Sequence, residues 1–153
     1  MAFFTAMNIS GTGLTAQRLR MEVISENIAN INTTRTITGE PYRRKTVLFQ
    51  EIQENTFETM LRNATGMDVA GRDAPLGHGV RVHSIVQDHA PGPMQYDPSH
   101  PDANEEGYVQ MPNVNIVEEM VNMISASRSY EANITAINAS KAMLARTLEL
   151  ARS

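Results

Sequence analysis

From Ile116 the positions Met120, Met123, Ser127, Tyr130, Ile134, Ile137, Lys141, Leu144, Leu148 and Ala151 recur at alternating steps of three and four, almost to the last residue. That spacing predicts one continuous helix with an apolar seam. Pro112 cannot sit inside it, Asn113 or Asn115 can cap its free N–H groups, and Glu118 and Glu119 suit the positive helix end. At 1.5 Å per residue the helix would run roughly 50 Å or more. A chain of 153 residues is narrower than that, so the helix must project or lie against something else. A second apolar set sits off the seam: Val117, Val121 and Ile124, then Ala132, Ala136, Ala139, Met143 and Leu150. A single partner helix covers one seam, so two apolar faces imply burial on two sides.

The first partner is legible at the other end. Over residues 7–31, Met7, Ser10, Leu14, Gln17, Met21, Ile24, Ile28 and Ile31 keep the same three-four alternation, and Arg18, Arg20, Glu22 and Glu26 all fall off it. Gly11 and Gly13 each cost about 1 kcal/mol in a helix interior, which sets the secure start of this helix near Leu14. Ala16, Leu19 and Val23 lie beside its seam. Too little chain remains to cover the surplus apolar surface of both helices, which points to self-association or co-assembly through the termini.

The middle differs in composition. Six of the nine Gly and six of the seven Pro fall between Gly66 and Pro112, so no long helix persists there. Tyr42 to Phe49 reads as one strand and Gly79 to Val86 as another, while residues 50–64, with Ile52, Phe57, Met60 and Leu61, read as either a short amphipathic helix or a loop. Pro91-Gly92-Pro93 and residues 97–104 are loop. The expected fold class is mainly α with a small β-containing middle, the long terminal helices forming a coiled coil. Three segments follow: an amino-terminal helical segment at 1–36, a turn-rich middle at 37–111 and a carboxy-terminal helix at 112–153.

Whole classes of chemistry are set aside by composition. There is no Cys, which removes disulfides, thiolate zinc sites and a cysteine nucleophile. No uncharged stretch is long enough to cross a bilayer, and the mean hydropathy is −0.31. A net charge of −4 argues against nucleic acid as a partner. Gly11-Thr12-Gly13-Leu14-Thr15-Ala16 fits a dinucleotide-binding pattern but lacks the preceding strand and the later acidic residue. His78, His83, His89 and His100 match no standard metal-ligand spacing. No catalytic motif is found, so the expectation is no enzyme, no cofactor and no metal. Arg43-Arg44-Lys45, the one basic run, reads as the wet face of a strand or its edge protection. No basic residue precedes Arg18, so a cleaved export signal is not expected.

Two segments are more specific than packing requires. The first is Ser25-Glu26-Asn27-Ile28-Ala29-Asn30-Ile31-Asn32-Thr33-Thr34, followed by Pro41-Tyr42-Arg43-Arg44. The second is Gly107-Tyr108-Val109-Gln110-Met111-Pro112-Asn113-Val114-Asn115-Ile116-Val117-Glu118-Glu119-Met120-Val121, with Tyr96-Asp97-Pro98-Ser99-His100-Pro101 upstream. Together they resemble the axial proteins of the bacterial flagellum, most closely the rod proteins of its basal body, over roughly residues 8–50 and 80–150.

The resemblance implies a structural subunit of the proximal rod, whose terminal helices pack around a central export channel and whose middle faces outward. It implies partners that are other copies of the chain, other rod proteins, the membrane-ring and rod-junction proteins and the flagellar type III export apparatus. It also implies assembly in the periplasm without a cleaved signal. The assembly interface expected on this basis comprises Leu14, Met21, Ile24, Ile28, Met120, Met123, Ile134, Ile137, Leu144 and Leu148, with Asn27, Asn30 and Asn32 shaping the turn out of the first helix. The competing reading is a cytoplasmic helical adaptor, which would be a stable monomer with one open groove.

Overall fold

The computed structural model describes residues 2–52 and 78–152. Helix α1 spans Ala2–Ala29 and helix α2 spans Ile116–Arg152. Between them strand β1 (Lys45–Glu51) pairs antiparallel with β2 (Val80–Gln87), and β3 (Met94–Tyr96) pairs antiparallel with β4 (Tyr108–Gln110). The chain is mainly α with a small β middle, as its periodicities predict. β1 begins three residues later than the sequence suggests, and the β3–β4 pair was not foreseen. Of the ambiguous segment 50–64, residues from 53 onward lie outside the described part.

The two helices run antiparallel. Asn27 meets Glu119 near one end, Arg20 Nη2 donates to Asn122 Oδ1 at 3.3 Å, and Gly13 faces Asn133 farther along. Small side chains let the two axes approach: Ala16 and Ala126 are almost fully buried, and a Cβ placed on Gly13 would lie 3.1 Å from the Asn133 amide. That close approach explains why α1 reaches back to Ala2 through Gly11 and Gly13 rather than starting near Leu14. Packing against α2 offsets the poor helix propensity of the glycines, as tertiary contacts commonly do.

The start of α2 resolves a choice the sequence left open. Asn115 is the cap, its Oδ1 accepting from Val117 N at 3.0 Å and Glu118 N at 3.5 Å. Asn113 instead braces the middle, accepting from Arg44 N at 2.8 Å and donating to Asp88 O at 3.3 Å. At the end of α1, Asn30 Nδ2 bonds back to Glu26 O at 2.9 Å, and its Oδ1 accepts from Thr33 Oγ1 at 3.1 Å. The chain then turns through Gly39, whose φ of 84° suits a residue without a Cβ. The β3–β4 hairpin is fastened to this exit by Asp102, which accepts from Thr34 Oγ1 at 2.9 Å and lies 3.6 Å from Arg35 Nη1.

The core sits where the strands meet the helices. Val23, Ile24, Tyr42 and Val47 are buried there, and so are two polar side chains, Asn27 and Glu119, while Val109 is buried on β4.

Candidate functional site

Burying a carboxylate is costly unless it is paired and hydrogen-bonded, so Glu119, 1% exposed, marks the site. The first turn of α2 carries it inward while Glu118, one position earlier, stays half in water. Arg44 answers both. Its Nε donates to Glu119 Oε1 at 2.8 Å, and its Nη2 lies 2.8 Å from the same oxygen and 2.9 Å from Glu118 Oε1. Glu119 Oε2 accepts from Asn27 Nδ2 at 2.9 Å, so each carboxylate oxygen has a donor.

Asn27 uses its whole amide. Besides Glu119, Nδ2 donates to Lys45 O at 2.8 Å, while Oδ1 accepts from Lys45 N at 3.0 Å and from the Tyr42 hydroxyl at 2.9 Å. Two donors and two acceptor sites are thereby satisfied, the full capacity of the side chain. Lys45 Nζ pairs with Glu26 and lies 5.6 Å from the Tyr42 ring centroid. Arg43 closes the edge of the cluster with Glu40 at 3.1 Å and His89 O at 3.2 Å.

Charge and burial tune two of these groups. Burial of Tyr42, with Glu26 and Glu119 nearby, pushes its phenol up to about 12 from an ordinary 10.0. Burial opposes the charged form of Arg44, but hydrogen bonds and charge from Glu119 and Glu118 outweigh it and hold the guanidinium above its ordinary value. The folded state therefore favours the neutral phenol. That contribution is intact below pH 10 and is lost as pH rises from 10 to about 12. The unfolding free energy of the wild type should fall across this window, and Tyr42→Phe should flatten the decline; urea titrations of both proteins at stepped alkaline pH check it.

The basic run thus does not form a wet strand face. Arg43, Arg44 and Lys45 enter ion pairs with Glu40, with Glu118 and Glu119, and with Glu26. Of the three Asn at the exit of α1, Asn27 is buried in the cluster, Asn30 bonds to Glu26 O and Thr33, and Asn32 is exposed. The cluster draws together residues from α1, the 42–45 segment and α2. A basic triplet in the same chain as a Glu-Glu pair at a helix start is the signal that could have suggested it.

The expected interface residues divide by environment. Ile24 is buried, and Leu14, Met21, Ile28, Met123, Ile137 and Leu144 are half-buried, while Met120, Ile134 and Leu148 are exposed. Off the seam, Val117, Val121, Ile124, Met143 and Leu150 are more than half exposed. Ala132, Ala136 and Ala139 are exposed between them. The second apolar face of α2 thus turns away from α1 along the whole helix.

A family model described as flagella basal body rod protein matches residues 7–35, and one described as flagellar basal body rod FlgEFG protein C-terminal matches residues 105–150. The flagellar basal-body rod protein FlgC of Borreliella burgdorferi is 49% identical, with 98% of each chain covered. The chain belongs to the FlgC family of flagellar basal-body rod proteins. The FlgC proteins of Bacillus subtilis and Salmonella typhimurium are 47% and 40% identical, covering 99% and 98% of this chain and 100% and 98% of their own. In this FlgC-family chain the two matched segments meet at the buried cluster: Asn27 belongs to the first and Glu118 and Glu119 to the second, and between them Lys45 bonds to Asn27 while Arg44 pairs with Glu118 and Glu119.

Proposed function

We propose that the chain is a structural subunit of the proximal rod of the flagellar basal body, assembling with its own copies and with other rod proteins through its terminal helices. In this role the helices of segments 1–36 and 112–153 line the export channel and pass torque toward the hook, while segment 37–111 faces outward. Other contacts are the membrane-ring and rod-junction proteins, and the type III export apparatus delivers the chain to the periplasm without a cleaved signal. The role is mechanical and requires no catalytic group.

The observation that carries this reading is the second apolar face of α2. At 1.5 Å per residue the helix is roughly 55 Å long, and that face leaves Val117, Val121, Ile124 and Met143 in water in the single chain. An exposed apolar stripe of this extent marks an interaction surface. FlgC-family membership supplies the polymer in which it would be covered.

Deleting the gene and purifying basal bodies tests the proposal. Cells without the protein should be non-motile and yield basal bodies that lack a rod and hook, and a plasmid copy should restore both. Normal rods in the deletion strain would refute it and favour the adaptor reading.

A further inference from the structure

From Val82 to Ser127 the chain has no Lys or Arg but seven carboxylates, Asp88, Asp97, Asp102, Glu105, Glu106, Glu118 and Glu119. Arg35 answers Asp102, and Arg44 answers Glu118 and Glu119. Asp97 bonds to Ser99, and Asp88 to Ala90 N. Glu105 and Glu106 stand exposed on the β3–β4 turn with no ion pair among the described residues. They border an apolar patch: Met94 is 57% exposed and Tyr96 is 64% exposed, the latter packed edge-to-face on Tyr108 at 5.2 Å.

The opposite end of the helix pair has the complementary character. On the outward face of α2, Met143 is 57% exposed, and Arg146 follows one turn later with no ion pair among the described residues. Nothing from α1 offsets that charge, because residues 1–17 contain no Asp, Glu, Lys or Arg.

We propose that the β3–β4 hairpin of one copy docks on the Met143–Arg146 face of α2 in the next copy, with Glu105 and Glu106 set against Arg146. This deepens the rod reading above and rests on it. A chain cannot satisfy the contact alone, because Asp102 fastens its hairpin to the exit of α1, at the far end of the antiparallel pair from Met143. Two-fold pairing of the hairpin with itself would set Glu105 and Glu106 against like charges, which disfavours that contact. Pairing of the hairpin with α2 of the next copy joins unlike charges, and a head-to-tail contact whose rotation does not close builds a filament.

The chain has no Cys, so cross-linking is unambiguous. The full-length Tyr108→Cys/Met143→Cys protein, oxidised at high concentration, should give a ladder of oligomers, and neither single variant should dimerise. By sedimentation, Arg146→Glu should weaken self-association at least tenfold with unchanged circular dichroism, and adding Glu105→Lys and Glu106→Lys should restore it to within a few-fold. Arg128→Glu, eighteen residues away on the same face of α2, should weaken association less than Arg146→Glu does, and Glu105→Lys with Glu106→Lys should not rescue it. The proposal is overturned by a wild-type chain that stays monomeric, by dimers from a single-Cys variant, by failure of the charge-swap rescue, or by an Arg128→Glu effect as large as that of Arg146→Glu. If the deletion strain lacks rods while Arg146→Glu cells build them and no ladder forms, this contact fails and the rod reading stands. If the deletion strain builds normal rods, the rod reading itself fails.

Discussion

Replacing Arg44 by alanine should lower the unfolding free energy by about 3–5 kcal/mol, the range measured when one partner of a buried ion pair is removed. The change strands Glu119, whose side chain is 2% exposed, with Asn27 as its remaining donor. It also releases Glu118 and cuts the tie between the 42–45 segment and α2. Small domains hold only about 5–15 kcal/mol in total, so the loss would be a large share of the chain's stability. Glu118→Ala provides the internal comparison: that carboxylate is largely exposed, and surface ion pairs contribute at most about 1 kcal/mol. Arg44→Met combined with Glu119→Leu should lose less than Arg44→Ala alone, because no buried charge is left without a partner. Urea unfolding of the four full-length proteins measures all of this. A loss below about 1 kcal/mol for Arg44→Ala would mean that the cluster fixes geometry without contributing stability.

The second large effect concerns assembly. Val121 is 61% exposed in the single chain, so Val121→Asp should change its stability by no more than about 0.5 kcal/mol. In a polymer that covers the second face of α2, the same carboxylate would be buried without a partner at a cost of several kcal/mol per subunit. Cells carrying only this variant should therefore be non-motile and yield basal bodies without rods, while the purified protein unfolds at the wild-type urea midpoint. Ile28→Asp and Ile137→Asp are less discriminating, because both positions are already half-buried and the substitution would harm folding and assembly together. Normal swimming of the Val121→Asp strain would place the subunit interface elsewhere.

Periodicity is a local property, and the features it controls were readable: both long helices, their pairing, and the β1 and β2 strands with offsets of a few residues at their ends. The Asn115 cap was one of two candidates because only the folded chain shows that Asn113 is occupied by Arg44 and Asp88. The early start of α1 was missed because Gly13 is unfavourable in an isolated helix yet permits the close approach of Asn133. Most opaque was the cluster itself. Its central bond joins Arg44 to Glu119 across 75 positions, and the side chains that bury it belong to three separate segments. Arg44 therefore read as solvent-facing, and Glu119 as only a helix-end charge. The β3–β4 pair escaped for a different reason: three-residue strands are too short to establish an alternation.

A sheet can recruit a stranger wherever its outermost peptide groups stand open. At Lys45, both the amide hydrogen and the carbonyl oxygen are taken by the carboxamide of Asn27, so the margin of β1 is sealed at its first residue. Strand-by-strand accretion is denied a foothold at that residue.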